Sequence, residues 1–180
     1  KSTLLLHLNG YLTPQRGTVR IGDFPLTKAT VRDIRKTVGM IFQDADDQLF
    51  MPTVYDDVAF GPQNLGLPPE EIEARVLQAL IRTGTEHLRE RPPYKLSGGE
   101  KRAVAIATVL AMSPDILVMD EPTAALGEED TRSLFGIIRS LKEQGVGIVY
   151  ISHRLMEVFE ITDRVTVLRD GQKIGTVGTG

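Results

Sequence analysis

No cysteine occurs in the 180 residues, which excludes a disulfide framework and any thiolate metal site; the absence suits a chain kept in the cytosol. Long apolar runs are missing as well. The longest, Ala103 to Met112, falls far short of the ~18 residues a membrane-spanning helix needs, so work at a membrane would require a partner to hold the chain there. Charge of one sign is scarce: the formal net charge is only -3, which gives no electrostatic reason to expect nucleic acid. Internal repeats and low-complexity linkers are absent, which excludes solenoids and tethered arrays. What remains is ordinary for a globular protein, 41% hydrophobic and 25% charged. That length supports one sizeable α/β core with room for a small subdomain, but not two full domains.

The stretch Lys95 to Leu126 organises the rest. Leu96-Ser97-Gly98-Gly99-Glu100 is a turn of small residues opening onto a segment in which Ala103, Val104, Ile106, Ala107, Leu110 and Ala111 recur at helical spacing. Such a turn leaves backbone N–H groups at a helix start free to face an anion. Next comes Asp115-Ile116-Leu117-Val118-Met119-Asp120-Glu121-Pro122, an apolar run too short for a helix and bounded by Pro114 and Pro122, hence a buried parallel strand. Asp120 and Glu121 stand at its C-terminal end, where open α/β sheets bind ligands.

These two devices, in this order and separated by one helix, resemble the signature motif and Walker B strand of ATP-binding cassette (ABC) ATPases, and the resemblance covers essentially the whole chain. It implies an α/β P-loop NTPase (RecA-like) fold with a parallel sheet core and a helical subdomain insert. Lys1-Ser2-Thr3 matches the end of the phosphate-binding pattern G-x-x-x-x-G-K-[ST]. The glycines and the strand before them are therefore expected upstream, making this an N-terminally truncated fragment that starts inside Walker A.

Along the chain, Ser2 to Asn9 reads as the helix after the phosphate loop, Thr18 to Ile21 as a short strand and Thr30 to Lys36 as a short helix. Val38 to Phe42 reads as a buried strand delivering Gln43 into the acidic loop Asp44 to Gln48. Helices are expected at Thr53 to Phe60 and Pro69 to Thr83, the latter with proline at its start and Glu70, Glu71 and Glu73 near it. With the signature helix they make residues 52–112 the helical subdomain of a single domain, 1–180. Glu128 to Gln144 reads as a helix, Val146 to Ile151 as a strand ending at Ser152-His153, and Arg164 to Arg169 with Lys173 to Val177 as a closing hairpin.

The chemistry of ATP hydrolysis needs a metal-held triphosphate, an aligned water and a base. Asp120 is the natural metal ligand and Glu121 the general base. By resemblance, Lys1 reaches the β and γ phosphates, Ser2 ligands Mg²⁺, and Thr3 completes the nucleotide motif. Likewise Gln43 contacts Mg²⁺ and the attacking water, and His153 contacts the γ phosphate. Ser97, Gly98, Gly99 and Glu100 grip the ATP of a second cassette, so that two subunits sandwich two nucleotides head to tail. The implied cofactors are ATP and Mg²⁺. The implied partners are that second subunit and transmembrane transporter subunits, at the cytoplasmic face of the membrane, with no nucleic acid. Glu100 stands where many cassettes have Gln, and Gly127 stands where the D-loop usually carries a carboxylate.

Lys36 to Gly66 resembles the ATPases of cobalt and nickel importers of the energy-coupling-factor type, while the residues from Glu128 on resemble sugar-importer ATPases. The expected cargo is cobalt or nickel, with a sugar importer as the alternative. A soluble ABC ATPase outside transport, or a catalytically impaired regulatory cassette, is the alternative of another class.

Overall fold

The computed structural model describes residues 2–179; Lys1 lies outside the described residues. At its centre is a parallel sheet of three strands in the order β3-β4-β5, with β3 at Val38–Ile41, β4 at Ile116–Asp120 and β5 at Gly147–Ile151. Both faces of β4 are covered, as a parallel sheet requires. Leu117 and Met119 point into the main apolar cluster, while Val118 joins a smaller one with Leu5, Ile21, Ile34 and Val38. The near-continuous apolar sequence of β4 follows from this, because alternate residues meet different cores.

The smaller cluster is built from α1 (Ser2–Leu8), α2 (Val31–Thr37) and a two-residue antiparallel pair, β1 (Arg20–Ile21) with β2 (Phe24–Pro25). The expected strand over Thr18 to Ile21 is thus reduced to two residues, because it pairs only across the tight turn at Gly22, whose φ is +54°. α3 (Val54–Asn64), α4 (Pro69–Thr83) and α5 (Gly98–Leu110) build the main cluster with α6 (Glu128–Glu143) and the sheet. Short 3₁₀ turns at Glu86–Leu88 and Pro93–Lys95 link α4 to α5.

Local chemistry sets the helix ends. The Thr53 hydroxyl accepts the Asp56 N–H at 3.1 Å and caps α3, which runs through Pro62 to Asn64 rather than stopping at Phe60. α4 begins at Pro69 and ends where Gly84 turns left-handed (φ +69°), its N–H meeting the carbonyls of Leu80 and Ile81. After β5 comes α7 (Leu155–Ile161), a helix the apolar pattern did not announce, and then the hairpin β6 (Arg164–Arg169) with β7 (Gln172–Gly178).

The close approach of α5 to the sheet depends on Gly39 in β3. A Cβ there would lie 2.1 Å from Val109 Cγ1 and 3.1 Å from Pro114 Cγ. Gly39→Ala is therefore expected to destabilise the fold by about 1–3 kcal/mol through overpacking, measurable as a lower denaturant midpoint with unchanged slope.

Candidate active site

The three parallel strands are in a register that aligns their carboxyl ends: Ile41 pairs with Met119, Met119 with Tyr150, and Asp120 with Ile151. The chain leaving each strand therefore reaches one edge, where Gln43, the Asp120-Glu121 pair and Ser152-His153 converge. A cleft of about 700 Å³ opens there, lined by Ser2, Gln43, Asp120, Gly98 and Lys101 among others. Glu121 and His153 stand at the same strand ends but are not among its lining residues, and neither is Thr3, whose carbonyl instead bonds the His7 ring at 2.6 Å, inside α1.

Glu121 leaves β4 in the left-handed region, φ +45°, a conformation costing about 1–3 kcal/mol for a residue with a Cβ. Its N–H is held by the Ile151 carbonyl at 3.0 Å. The turn aims the carboxylate at His153, whose Nδ1 lies 2.8 Å from Glu121 Oε2. The His153 N–H approaches the same oxygen at 3.4 Å. The two expected catalytic groups are thus in direct contact, with the carboxylate mostly covered and the imidazole mostly exposed.

The loop after β3 is anchored more firmly than an acidic, solvated loop would be. Arg102 of α5, only 4% exposed, donates from Nη1 to the Phe42 carbonyl at 2.6 Å and from Nη2 to the Gln43 carbonyl at 2.5 Å. Lys101 pairs with Asp46 at 2.5 Å, and Gln48 donates to the Ala105 carbonyl and the Thr108 hydroxyl at 2.7 and 2.8 Å. Asp44 is occupied with the Asp46 N–H. Burial lowers the Arg102 pKa, with Asp44 and Tyr150 opposing that shift. Arg102 was not singled out from sequence. The available signal was its register, since a cation at helical spacing from the apolar Ile106 and Val109 must either snorkel out or find buried acceptors.

The Ser97 turn is a closed capping box. Ser97 Oγ accepts the Glu100 N–H at 3.2 Å and Glu100 Oε2 accepts the Ser97 N–H at 2.7 Å. The expectation of freely available N–H groups is corrected accordingly: those of Ser97 and Glu100 are engaged, while Gly98 and Gly99 open the helix. The Ser97 N–H bond lowers the Glu100 pKa against the opposing effect of burial. Carboxylate thus serves where an amide would, because only an acceptor is needed. Gly98 faces the cleft, whereas Ser97, Gly99 and Glu100 border a separate hollow of about 190 Å³ beside Asp130. A Cβ on Gly99 would lie 2.2 Å from Asp130 Oδ1 and 2.5 Å from its Cγ. Gly127 is the N-cap of α6, in extended backbone and without a side-chain cap.

A family model described as ABC transporter matches residues 1–124. A protein of Geobacter sulfurreducens, named as a putative ABC transporter ATP-binding protein, is 60% identical over 96% of this chain and 68% of its own length. An energy-coupling factor transporter ATP-binding protein, EcfA, of Methanoculleus marisnigri is 48% identical over 98% of this chain and 64% of its own. Among solved structures, cbiO1 from Clostridium perfringens, titled as part of the ABC transporter complex cbiONQ, superposes with a TM-score of 0.90 at 39% identity. That match covers 99% of this chain and 72% of the other. The chain spans about two thirds of the length of the curated relatives it matches.

Lysine cannot reproduce the two-pronged grip of Arg102 on adjacent carbonyls. Arg102→Lys is expected to cost about 1.5–3 kcal/mol, the worth of one hydrogen bond from a charged donor. Chemical denaturation reads the loss, and an unchanged midpoint would show that the two carbonyls do not need the fork.

Proposed function

The chain belongs to the ABC transporter family, and on that premise we propose that it binds and hydrolyses ATP as the motor subunit of a transporter of the energy-coupling-factor kind. The observation that carries this is the convergence of Gln43, Asp120, Glu121 and His153 at the carboxyl edge of one parallel sheet, beside a cleft of about 700 Å³. In this reading Glu121 is the general base, and the 2.8 Å bond to His153 Nδ1 orients its carboxylate. The donor set on the cleft suits Mg²⁺, a hard cation that takes oxygen ligands and retains water: the Ser2 hydroxyl, the Asp120 carboxylate and the Gln43 amide would hold it. When bound, Mg²⁺ supplies charge neutralisation on the phosphate oxygens. Lys1 and Thr3 keep the phosphate-loop roles that resemblance implies, although Thr3 does not line the cleft.

Ser97, Gly98, Gly99 and Glu100 face the ATP of a second cassette. Support comes from Ser97, Gly99 and Glu100, which border a hollow separate from the cleft at Asp120, whereas Gly98 lines that cleft. Residues 52–112 form the helical subdomain that meets the transmembrane subunits, and the Gln43 loop, fastened to α5, links that contact to the nucleotide. Among the described residues no helix is long and apolar enough to cross a membrane, and the proposed place of work is the cytoplasmic face, held there by those subunits. The cargo we favour is cobalt or nickel, on the likeness of Lys36 to Gly66. The sugar-importer alternative rests on the residues after Glu128. Relatives named EcfA align through both halves, over 98% and 96% of the chain, which favours a single lineage.

Glu121→Gln is expected to preserve ATP affinity while lowering turnover by about 10²- to 10⁴-fold; near-normal turnover would overturn the assignment of the base. Gly127→Asp meets no atom within 4 Å of the new Cβ and would place a carboxylate at the N-cap of α6. It should raise the melting midpoint slightly, by a few tenths of a kcal/mol in stability.

A further inference from the structure

Beneath the Glu121–His153 contact lies a second carboxylate that the proposed reaction does not use. Glu157, in the first turn of α7, is 8% exposed. Its Oε2 accepts three hydroxyls, from Thr123 at 2.7 Å, Tyr150 at 2.9 Å and Ser152 at 3.1 Å. Its Oε1 accepts Arg154 Nη1 at 3.2 Å. Isolating a carboxylate from water costs several kcal/mol unless its lone pairs are filled, and here four donors fill them. Burial pushes the Glu157 pKa up, but those four bonds outweigh it and hold the group ionised, below the ordinary range.

The donors come from three places that matter. Thr123, 1% exposed, lies two residues past Glu121. Tyr150, on β5, is seated edge-on against Phe135 of α6 with ring centroids 6.5 Å apart. Ser152 and Arg154 flank His153, and the Ser152 hydroxyl also accepts the Arg154 N–H at 3.0 Å. No hydrogen bond joins Glu157 to Glu121 or to His153 among the described residues. Any effect on that pair therefore passes through the backbone on either side of it.

We infer that Glu157 is a positioning residue for ATP hydrolysis: its carboxylate ties the segment carrying His153 to the loop that follows Glu121, and so sets the contact between them. The inference rests on the proposed hydrolysis reading. A glutamine at 157 keeps an acceptor for the hydroxyls but presents a donor to the Arg154 guanidinium, which frees one end of the His153 segment. Valine at 123 removes one hydroxyl, nearly isosterically, and loosens the Glu121 side instead.

The test is Mg-ATP turnover and ATP affinity of the full-length protein carrying Glu157→Gln or Thr123→Val, each alone and with His153→Ala. Each single variant should lower kcat by about 10- to 100-fold, the effect of misplacing a catalytic group by a fraction of an ångström to an ångström, with ATP Kd nearly unchanged. On a His153→Ala background, either change should cost less than about twofold more, because the Glu121–His153 contact that both changes disturb is already absent. Losses that multiply in the double variants, unchanged kcat, or kcat and affinity falling together would overturn the inference. If Glu157→Gln does not fold, Thr123→Val, which leaves the carboxylate and three donors in place, decides the matter alone. A wild-type full-length protein without turnover would overturn the hydrolysis reading and this inference with it; variant effects that fail on an active wild type overturn only the inference.

Discussion

Everything at the candidate site depends on the parallel register of three short strands. Because Ile41, Met119 and Tyr150 lie side by side, the residues that follow them emerge at one edge. A slip of one residue would send each side chain to the opposite face. The register is enforced by burial on both sides. Leu117 and Met119 belong to one apolar cluster and Val118 to another, so a displaced pairing would exchange side chains between two cores packed around different shapes. Helix packing adds a second constraint, since α5 approaches β3 closely enough that only glycine fits at 39.

Polar groups convert this apolar frame into a site, and each does so by serving two elements at once. Arg102 spends a nearly buried charge on two adjacent carbonyls, fastening the Gln43 loop to the helix that Ser97 caps. With Lys101–Asp46 and Gln48–Ala105 beside it, the loop has little freedom to move without α5. Displacement of the helical layer by a partner would therefore be felt at Gln43, a physical route from packing to chemistry. On the opposite side of the sheet edge, Glu157 gathers donors from the Thr123 loop and the His153 segment. The strained turn at Glu121 sits between these two anchors.

Much of this was legible in the sequence. α4 was read from Pro69 to Thr83 and is observed over those residues, because proline fixes one end and Gly84 the other. β4 was legible because proline bounds an apolar run too short for a helix. α7 was not. Seven residues with Leu155, Met156 and Phe159 exposed carry no stripe that periodicity can register. The glycines at 98 and 99 read as part of a turn, whereas the capping box of Ser97 and Glu100 makes them the first helical residues of α5. Arg102 and Glu157 were invisible as anchors for a different reason. Arg102 reaches carbonyls about sixty residues back along the chain, and although Arg154, Ser152 and Tyr150 are close to Glu157 in sequence, the Thr123 hydroxyl that makes it a link between two segments lies 34 residues away. Motif reasoning named the groups that line or meet the edge; the groups holding them in place required the tertiary fold.

The central claim is that the carboxyl edge of this sheet holds a metal–nucleotide pair, with Asp120 among the metal's ligands. Calorimetric titration of ATP into the full-length protein and into Asp120→Asn, with Mg²⁺ and with chelator, tests it most directly. The account predicts that Mg²⁺ strengthens ATP binding to the wild type and that the variant loses most of that gain while still binding ATP alone. An equal Mg²⁺ effect in both proteins would contradict it.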